Sequence, residues 1–150
     1  MALSDEHYMQ LAIDLAKEAK ASSNFPFGSI IVRRGQVVAT GKCEEISGCD
    51  VVKHAELLAV SNACRKLGTR DLSSCMLYAT GEPCNMCAAA IFQAGIGRVV
   101  IGMRRSDRKD FFRERKIGIA ELASDSGHQI ELVFGVLKND VIDLFADITK

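Results

Sequence analysis

The sequence predicts an α/β fold with three layers, in which a five-stranded mixed sheet lies between helices. Two patterns support this prediction. Short apolar runs of strand length alternate with longer segments whose apolar residues recur at helical spacing. The first two runs follow one another directly, whereas helical segments separate the later runs, so a hairpin precedes a series of βα units.

Each predicted element has its own local signal. Apolar side chains recur at helical spacing over residues 5–21 and 54–67. The apolar runs at 29–32 and 37–40 flank a turn that contains Gly35, which indicates a hairpin. The other predicted elements are strands at 75–80, 98–102 and 130–134 and helices at 84–94, 117–124 and 138–148. The helix between the fourth and fifth strands allows that pair to run parallel.

Composition restricts the possible function classes. The chain has 150 residues, which fits one domain over residues 1–150, and 48% of them are hydrophobic. Nineteen basic and nineteen acidic residues cancel, so the total charge predicts no general attraction to nucleic acid or membranes. The first residues lack the features of a signal peptide and no apolar run reaches transmembrane length, so we expect a cytoplasmic protein. There, six cysteines are expected to be metal ligands or free thiols.

Three residues form a candidate zinc site. Cys84 and Cys87 are three positions apart at the predicted start of a helix, so both sulfur atoms lie on one helix face. The positive end of that helix favours the thiolates that zinc requires. His54 begins the earlier predicted helix and supplies a third ligand. Three protein ligands leave the fourth position of one zinc ion per chain open for water, which is typical of a catalytic site.

Glu56 is the candidate proton carrier beside this zinc. It follows His54 by two residues, too close to be a second ligand from the same helical turn, but it can reach the water and the substrate. Water bound to zinc would have a lowered pKa and would supply hydroxide near neutral pH. The pattern H-x-E followed by P-C-x-x-C is typical of zinc deaminases.

Other interpretations of the cysteine pair stay open. A Cys-x-x-Cys pair can be a redox centre, although this pair lacks a thioredoxin-like context. It can also be half of a structural zinc site, in which Cys43 or Cys49 would be the fourth ligand. Glu56 argues against a non-catalytic scaffold stabilised by zinc, because a structural site does not need that carboxylate.

The sequence resembles the cytidine/deoxycytidylate deaminase superfamily. The stretches 54–56 (His-Ala-Glu) and 83–87 (Pro-Cys-Asn-Met-Cys) match its two motifs residue for residue. Residues 26–28 and 95–100 extend the resemblance over nearly the whole chain. The nearest branch holds guanine deaminases, fungal-type cytosine deaminases and bacterial tRNA adenosine deaminases. The resemblance implies a cytidine deaminase-like fold and a homodimer. It also implies zinc bound by His54, Cys84 and Cys87, with Glu56 as the proton shuttle.

Substrate contacts are harder to transfer to this chain. The resemblance implies contacts from Phe27 and Ala55. Relatives that act on purines commonly have an Asn eleven residues before the zinc histidine, and this position is Cys43 here. A thiol cannot replace the paired donor and acceptor of an amide, so Cys43 either contacts the substrate differently or only fills space. Lys53 puts an unusual positive charge beside the zinc histidine.

A polar segment at residues 104–116 allows two interpretations. Its seven basic and three acidic side chains give a charge of +4, and two adjacent phenylalanines lie in its middle. Basic residues interleaved with aromatic ones can bind single-stranded nucleic acid. The zero total charge favours instead a solvated helix or lid, anchored over the pocket or a dimer contact. In free-base deaminases this region contacts the substrate, so Asp107, Asp110 or Glu114 is a candidate second acid.

These observations lead to one main hypothesis and two alternatives. The main hypothesis is a zinc-dependent hydrolytic deaminase of a small nucleobase or related aminated heterocycle, acting as a homodimer with no membrane partner. The first alternative is a tRNA-specific adenosine deaminase, which converts adenosine to inosine and has RNA as a partner. Cys43 argues against this alternative, as it does against guanine. The second alternative is the zinc-stabilised scaffold.

Overall fold

A mixed sheet of five strands forms the centre of the fold. The computed structural model describes residues 3–148. Along the chain the elements are α1 (Asp5–Ala21), β1 (Gly28–Arg33), β2 (Gln36–Lys42), α2 (Ala55–Leu67), β3 (Cys75–Gly81), α3 (Asn85–Gln93), β4 (Arg98–Met103), a 3-10 turn (Arg105–Arg108), α4 (Ile119–Ser126), β5 (Glu131–Phe134) and α5 (Lys138–Asp143). The predicted α/β class and the five-stranded mixed sheet are confirmed.

The strand order β2-β1-β3-β4-β5 follows from how the strands are connected. Gly35 lies in the turn between β1 and β2 with φ of 76°, which suits a short antiparallel hairpin. β1 also pairs antiparallel with β3. From β3 onward the pairs are parallel, since α3 and α4 carry the chain back to the other end of the sheet. The parallel pairing expected for the last two strands is therefore confirmed.

Both faces of the sheet are covered by helices. Leu77 and Val99 point to a core shared with α2, α3 and α4, whereas the next residues along the strands, Tyr78 and Val100, point to a core shared with α1 and α5. This alternation is the period of two that a strand imposes. No helix within residues 3–148 is long and apolar enough to span a lipid bilayer.

Gly41 brings α2 close to the hairpin. A Cβ atom added at Gly41 would clash with the backbone oxygen of Ala55, at the first turn of α2. Glycine therefore allows the start of α2 to lie directly against β2. This close approach places the residues at the start of α2 beside the carboxyl ends of the parallel strands, where ligands bind in α/β sheets.

The C-terminal helix is shorter than the predicted 138–148. α5 ends at Asp143, and the chain continues in turns whose backbone bonds join residues three apart, such as Ile148 N to Phe145 O at 3.1 Å. Phe145 is fully buried in this turn. As a buried apolar residue, Phe145 continues the helical spacing on which the prediction was based, although the backbone there is no longer an α-helix. The predicted helix 117–124 is shifted, because α4 begins at Ile119 and ends before Gly127.

Asp5 and Arg98 connect the start of α1 to the start of β4. The Arg98 guanidinium donates two hydrogen bonds to the Asp5 carboxylate at 2.9 and 2.8 Å, and the Tyr78 hydroxyl donates a third at 2.7 Å. The hydrogen bonds from Arg98 hold the pKa of Asp5 below its usual range. The ionised carboxylate therefore stabilises the folded state at neutral pH, and this contribution is lost as the pH falls through the lowered pKa.

We expect Asp5→Asn to lower the free energy of unfolding at pH 7 by about 1.5–3 kcal/mol, the range for a hydrogen bond to a charged group. The difference from the wild type should shrink as the pH falls below about 4, where an ordinary aspartate is protonated. Urea unfolding followed by circular dichroism at pH 7 and pH 3 measures this. Asp125→Asn, at an exposed position in α4, is the matched control. A loss that is equal at both pH values would contradict the assignment.

Candidate zinc and active site

His54, Cys84 and Cys87 converge where α2 and α3 begin. His54 is the N-cap of α2, Cys84 is the N-cap of α3, and neither side chain caps its helix, so both are free to bind a ligand. His54 Nδ1 lies 3.6 Å from Cys84 Sγ and 3.5 Å from Cys87 Sγ. All three candidate ligand atoms lie within 4.8 Å of one another.

This geometry fits a tetrahedral zinc ion. Zinc bonds of about 2.3 Å to sulfur and about 2.0 Å to nitrogen at tetrahedral angles place those two atoms about 3.5 Å apart. The observed nitrogen–sulfur distances of 3.6 and 3.5 Å match this value. A fourth cysteine or histidine does not join the group among residues 3–148, which leaves the set with three protein ligands. The set therefore has the ligand number of a catalytic rather than a closed structural zinc site.

The electrostatic surroundings favour a thiolate at Cys84. A hydrogen bond from the Cys87 thiol, together with one from His54, lowers the pKa of Cys84 to about 3. The same bond to Cys84, reinforced by burial, raises the pKa of Cys87. The hydrogen bond to Cys84 also raises the pKa of His54. The positive ends of two helices point at the same place and help to stabilise thiolate ligands.

Glu56 lies in the first turn of α2, immediately beside these ligands. Its side chain lines the same cavity as His54 and Cys84 and is only 5% exposed. Burial raises the pKa of the Glu56 carboxyl, although its hydrogen bond with Cys87 acts in the opposite direction. A carboxyl group that is withdrawn from bulk water and faces a ligand cavity can take up and release protons near neutral pH.

Glu45 is a site residue that the sequence reasoning missed. Its carboxylate lies 3.5 Å from Nε2 of His54, the ring nitrogen that faces away from the two sulfur atoms. The loop that carries Glu45 is fixed by the buried Asn24, whose side-chain oxygen accepts hydrogen bonds from the backbone of Ile46 and Ser47. A carboxylate in this position orients a zinc-binding imidazole and makes it a better ligand. The only signal in the sequence was the presence of several acidic residues in the loop before His54.

Glu45→Gln is expected to weaken zinc binding roughly 10–100-fold, which is typical when the partner of a metal-binding histidine is removed. Competition for zinc with a chromogenic chelator measures this affinity directly and does not depend on turnover. Glu44→Gln is the control, because the neighbouring Glu44 does not line the cavity. Equal zinc affinities for Glu45→Gln and the wild type would show that this carboxylate does not position His54.

A cavity of about 290 Å³ opens beside the zinc ligands. Four phenylalanines line it, from two parts of the chain that are far apart in sequence: Phe25, Phe27, Phe111 and Phe112. They form a connected aromatic group, with Phe111 and Phe112 4.9 Å apart between ring centres. Such walls suit a flat aromatic ring, which can stack against them.

Three of the predicted substrate residues lie in the wall of this cavity. They are Phe27, Cys43 and Ala55. Cys43 is 1% exposed, and burial raises the pKa of its thiol, so at neutral pH it presents a neutral sulfur. The position that carries an amide in purine-specific relatives therefore offers only a weak hydrogen-bonding group here.

The other four predicted substrate residues lie outside the cavity wall. They are Lys53, Asp107, Asp110 and Glu114. Asp107 accepts a hydrogen bond from the backbone of Arg104 at 2.8 Å and so caps the 3-10 turn. Asp110 forms an ion pair with Arg108 at 2.7 Å. Local partners engage both aspartates, which the charge pattern alone did not indicate.

The segment 104–116, named here the covering segment, forms one side of the cavity. Phe111 is buried and packs against Phe145 at 5.1 Å and Phe25 at 5.5 Å between ring centres. This packing anchors the covering segment to the turns that follow α5 and to the loop before β1. Glu82 also lines the cavity and accepts a hydrogen bond from the backbone of Arg105 at 3.3 Å.

Comparisons with known proteins agree with this geometry. A family model described as the cytidine and deoxycytidylate deaminase zinc-binding region matches residues 3–103. The chain is 34% identical over 136 residues to a tRNA-specific adenosine deaminase of Bacillus subtilis (strain 168), covering 91% of this chain and 83% of that protein. It is 30% identical over 144 residues to a probable cytosine deaminase of Schizosaccharomyces pombe, covering 92% and 88%.

A solved structure shows the same relationship. A guanine deaminase from Nitrosomonas europaea has a TM-score of 0.86 with this chain at 27% identity, covering 98% of this chain and 86% of that one. The family match includes all three residues of the zinc site and Glu56. The chain belongs to the cytidine and deoxycytidylate deaminase family, and His54, Cys84 and Cys87 are positioned as its zinc ligands.

Proposed function

We propose that this protein is a zinc-dependent hydrolytic deaminase of a small, planar heterocyclic amine such as a nucleobase. The observation that carries this proposal is the buried carboxyl of Glu56 in an aromatic cavity, directly beside His54 and Cys84. In the proposed reaction, water adds to the ring carbon that bears the amine, the carbon–nitrogen bond breaks, and ammonia leaves. The ring keeps the oxygen of the water as a carbonyl group.

Glu56 moves the protons in this mechanism. When bound, zinc polarises the attacking water and lowers its pKa. Glu56 takes one proton from the water and passes it to a ring nitrogen. It then takes the remaining hydroxyl proton of the adduct and gives it to the leaving amine, as the carbonyl group forms. The phenylalanine side chains that line the cavity hold the substrate ring in one plane, so that the reacting carbon stays next to the water. The burial of Glu56 keeps competing solvent away from these transfers.

The shape of the cavity supports a small substrate. Its volume of about 290 Å³ is at the lower end of the range for small-molecule sites. The covering segment closes one side of it through Phe111 and Phe112. The family also contains proteins described as guanine deaminase and probable cytosine deaminase.

A tRNA-specific adenosine deaminase is the second candidate. It is supported by the 34% identity to the B. subtilis tRNA-specific adenosine deaminase over 91% of this chain. Two exposed arginines of the covering segment, Arg113 and Arg115, could contact a nucleic-acid backbone. The thiol of Cys43 in place of an amide argues against adenosine as the substrate.

We also propose a homodimer. The support is a set of exposed apolar side chains in the loop before α2 and at the starts of α3 and α4: Ile46, Val51, Val52, Met86 and Ile117. Exposed apolar residues concentrated near a functional site are typical of an interface. Sedimentation velocity tests this proposal, and a monomer at all concentrations would contradict it. The single-domain organisation and the cytoplasmic location stay predictions from the sequence.

A screen for ammonia release tests the proposed function. The substrates are cytosine, guanine, adenine, their nucleosides, aminated triazines and pterins, each with the zinc-loaded and the chelator-treated protein. We expect release from at least one free heterocycle with the zinc-loaded protein only. If all of these are inert while a tRNA anticodon stem-loop is converted to the inosine form, the second candidate replaces the first.

A further inference from the structure

We infer that the substrate carries an anionic group, a carboxylate or a phosphate, which is bound by Arg105, Arg113 and Arg115 at the end of the cavity formed by the covering segment. This inference rests on the proposed function and names its substrate class. The substrate would then be a planar heterocycle with an amine at one end and a negative charge at the other.

The three arginines share two properties. Each lines the cavity beside the zinc ligands. None forms an ion pair with an acid within the part of the chain that the structure describes, residues 3–148. Arg98 and Arg108, by contrast, are each paired with a carboxylate and lie outside the cavity wall. The three arginines that face the cavity therefore keep a charge that no acidic side chain of residues 3–148 pairs with, and this charge is available to a ligand.

Arg105 is held ready for such a ligand. It donates from Nη2 to the backbone oxygen of Arg113 at 3.2 Å, and its guanidinium lies 4.7 Å from the ring centre of Phe112. Its Nε is buried and has no hydrogen-bond partner among the described residues. A buried N–H group without an acceptor is unfavourable, so a ligand oxygen near it would satisfy a donor that the protein leaves unpaired.

Charge is distributed unevenly along the cavity. Glu45 and Glu56 lie at the zinc end, where Glu45 faces His54. Glu82 is the cavity-lining carboxylate beside Arg105, since it accepts the backbone hydrogen bond of Arg105. One carboxylate against three guanidinium groups leaves an excess of positive charge at the arginine end. The amine of a substrate fits the carboxylate end, and an anion fits the other.

Arginine is the side chain best suited to a carboxylate or phosphate, because its planar fork donates two parallel hydrogen bonds to such a group. Arg105 is half-buried in the cavity wall. A group attached to the bound ring can reach it there, whereas an RNA backbone would run across the outside of the molecule. The small volume of the cavity also favours an anion close to the ring.

Binding of product-type probes tests this inference without any turnover. The probes are three pairs that lack an exocyclic ring amine: uracil and orotate, lumazine and 6-carboxylumazine, and xanthine and xanthosine 5′-monophosphate. Calorimetry with the zinc-loaded protein should show the acid of at least one pair binding at least about tenfold more tightly than its neutral partner. A preference in the first two pairs identifies a carboxylate, and one in the third pair identifies a phosphate.

Variants assign that preference to the arginines. Arg105→Gln should reduce the preference for the acid to less than about twofold, while the affinity for the neutral probe is retained. Arg113→Gln and Arg115→Gln, at exposed positions, should each weaken acid binding even if Arg105→Gln fails to fold. Arg70→Gln, an exposed arginine outside the cavity, should change nothing. Equal binding of acid and neutral probes, or no binding of any acid, overturns the inference.

Ammonia release separates this inference from the proposed function. The aminated counterparts of the probes are cytosine, pterin and guanine and their acids, 6-carboxycytosine, pterin-6-carboxylate and guanosine 5′-monophosphate. Tight arginine-dependent binding of the acid probes without any ammonia release supports the anion site and overturns the deaminase proposal. Ammonia release from neutral substrates only, with no preference for acids in binding, supports the deaminase proposal and overturns the anion site. Binding of a tRNA stem-loop in place of every acid probe overturns the inference in favour of RNA.

Discussion

Glu56→Gln is expected to lower turnover by a factor of roughly 10²–10⁴, the range for removing a positioned general acid–base group. Zinc should remain at about one ion per chain, because His54, Cys84 and Cys87 are unchanged. Glutamine has nearly the same size as glutamate and can stay in the buried position, but it cannot carry protons between water and substrate. The loss should therefore appear in kcat and not in folding.

Zinc analysis, thermal unfolding and ammonia release on the same preparation separate these effects. Glu6→Gln is the matched control, since this glutamate is exposed on α1 and lies outside the cavity. Its turnover should equal that of the wild type. Undiminished turnover by Glu56→Gln would contradict the proton-transfer role of Glu56. Loss of zinc from that variant would show that the substitution acts on the metal site instead.

Cys87→Ser is expected to abolish turnover and to weaken zinc binding by more than roughly 100-fold. Loss of a residue that only supports a metal ligand weakens metal binding by up to about 100-fold, and the loss of a ligand should cost more. Cys87 is completely buried in the first turn of α3. Serine places a hydroxyl there, which is a poorer zinc ligand than a thiolate. Because zinc binds the folded chain, the variant should also unfold at a lower temperature than the wild type when zinc is present.

The difference between the melting temperatures with and without zinc measures how much zinc binding stabilises the folded chain. The wild type should gain stability on adding zinc, and Cys87→Ser should gain little. Cys49→Ser is the control, since Cys49 is exposed and does not line the cavity. If Cys49→Ser lost zinc as Cys87→Ser does, Cys49 would be a fourth ligand and the site would be structural.

The sequence predicted the zinc site well because its geometry is local. The three-residue spacing of Cys84 and Cys87 at a helix start places both sulfur atoms together. His54 lies at the start of the other helix, at the same edge of the sheet. The mixed sheet with its parallel last pair was equally accessible, because a hairpin and crossover helices allow few topologies. The length of α5 could not be predicted from the sequence, since Phe145 is buried in a turn and so continues the helical spacing of apolar residues.

The rest of the cavity depends on contacts between distant parts of the chain. Glu45 faces His54 because Asn24, on another loop, fixes the backbone around it. Arg105 enters the cavity wall, whereas Asp107 and Asp110 bind their own neighbours instead. A charge pattern shows that a segment is polar, but which of its charges are paired is decided only by the fold.

The central claim is that zinc held by His54, Cys84 and Cys87 is required for hydrolytic deamination. The most direct measurement is ammonia release from the substrate found in the screen, recorded with the purified protein, after removal of metal with a chelator, and after adding back one equivalent of zinc. We predict about one zinc ion per chain at the start, no release after chelation, and recovery in proportion to the zinc added. Full turnover by protein without metal would contradict the claim.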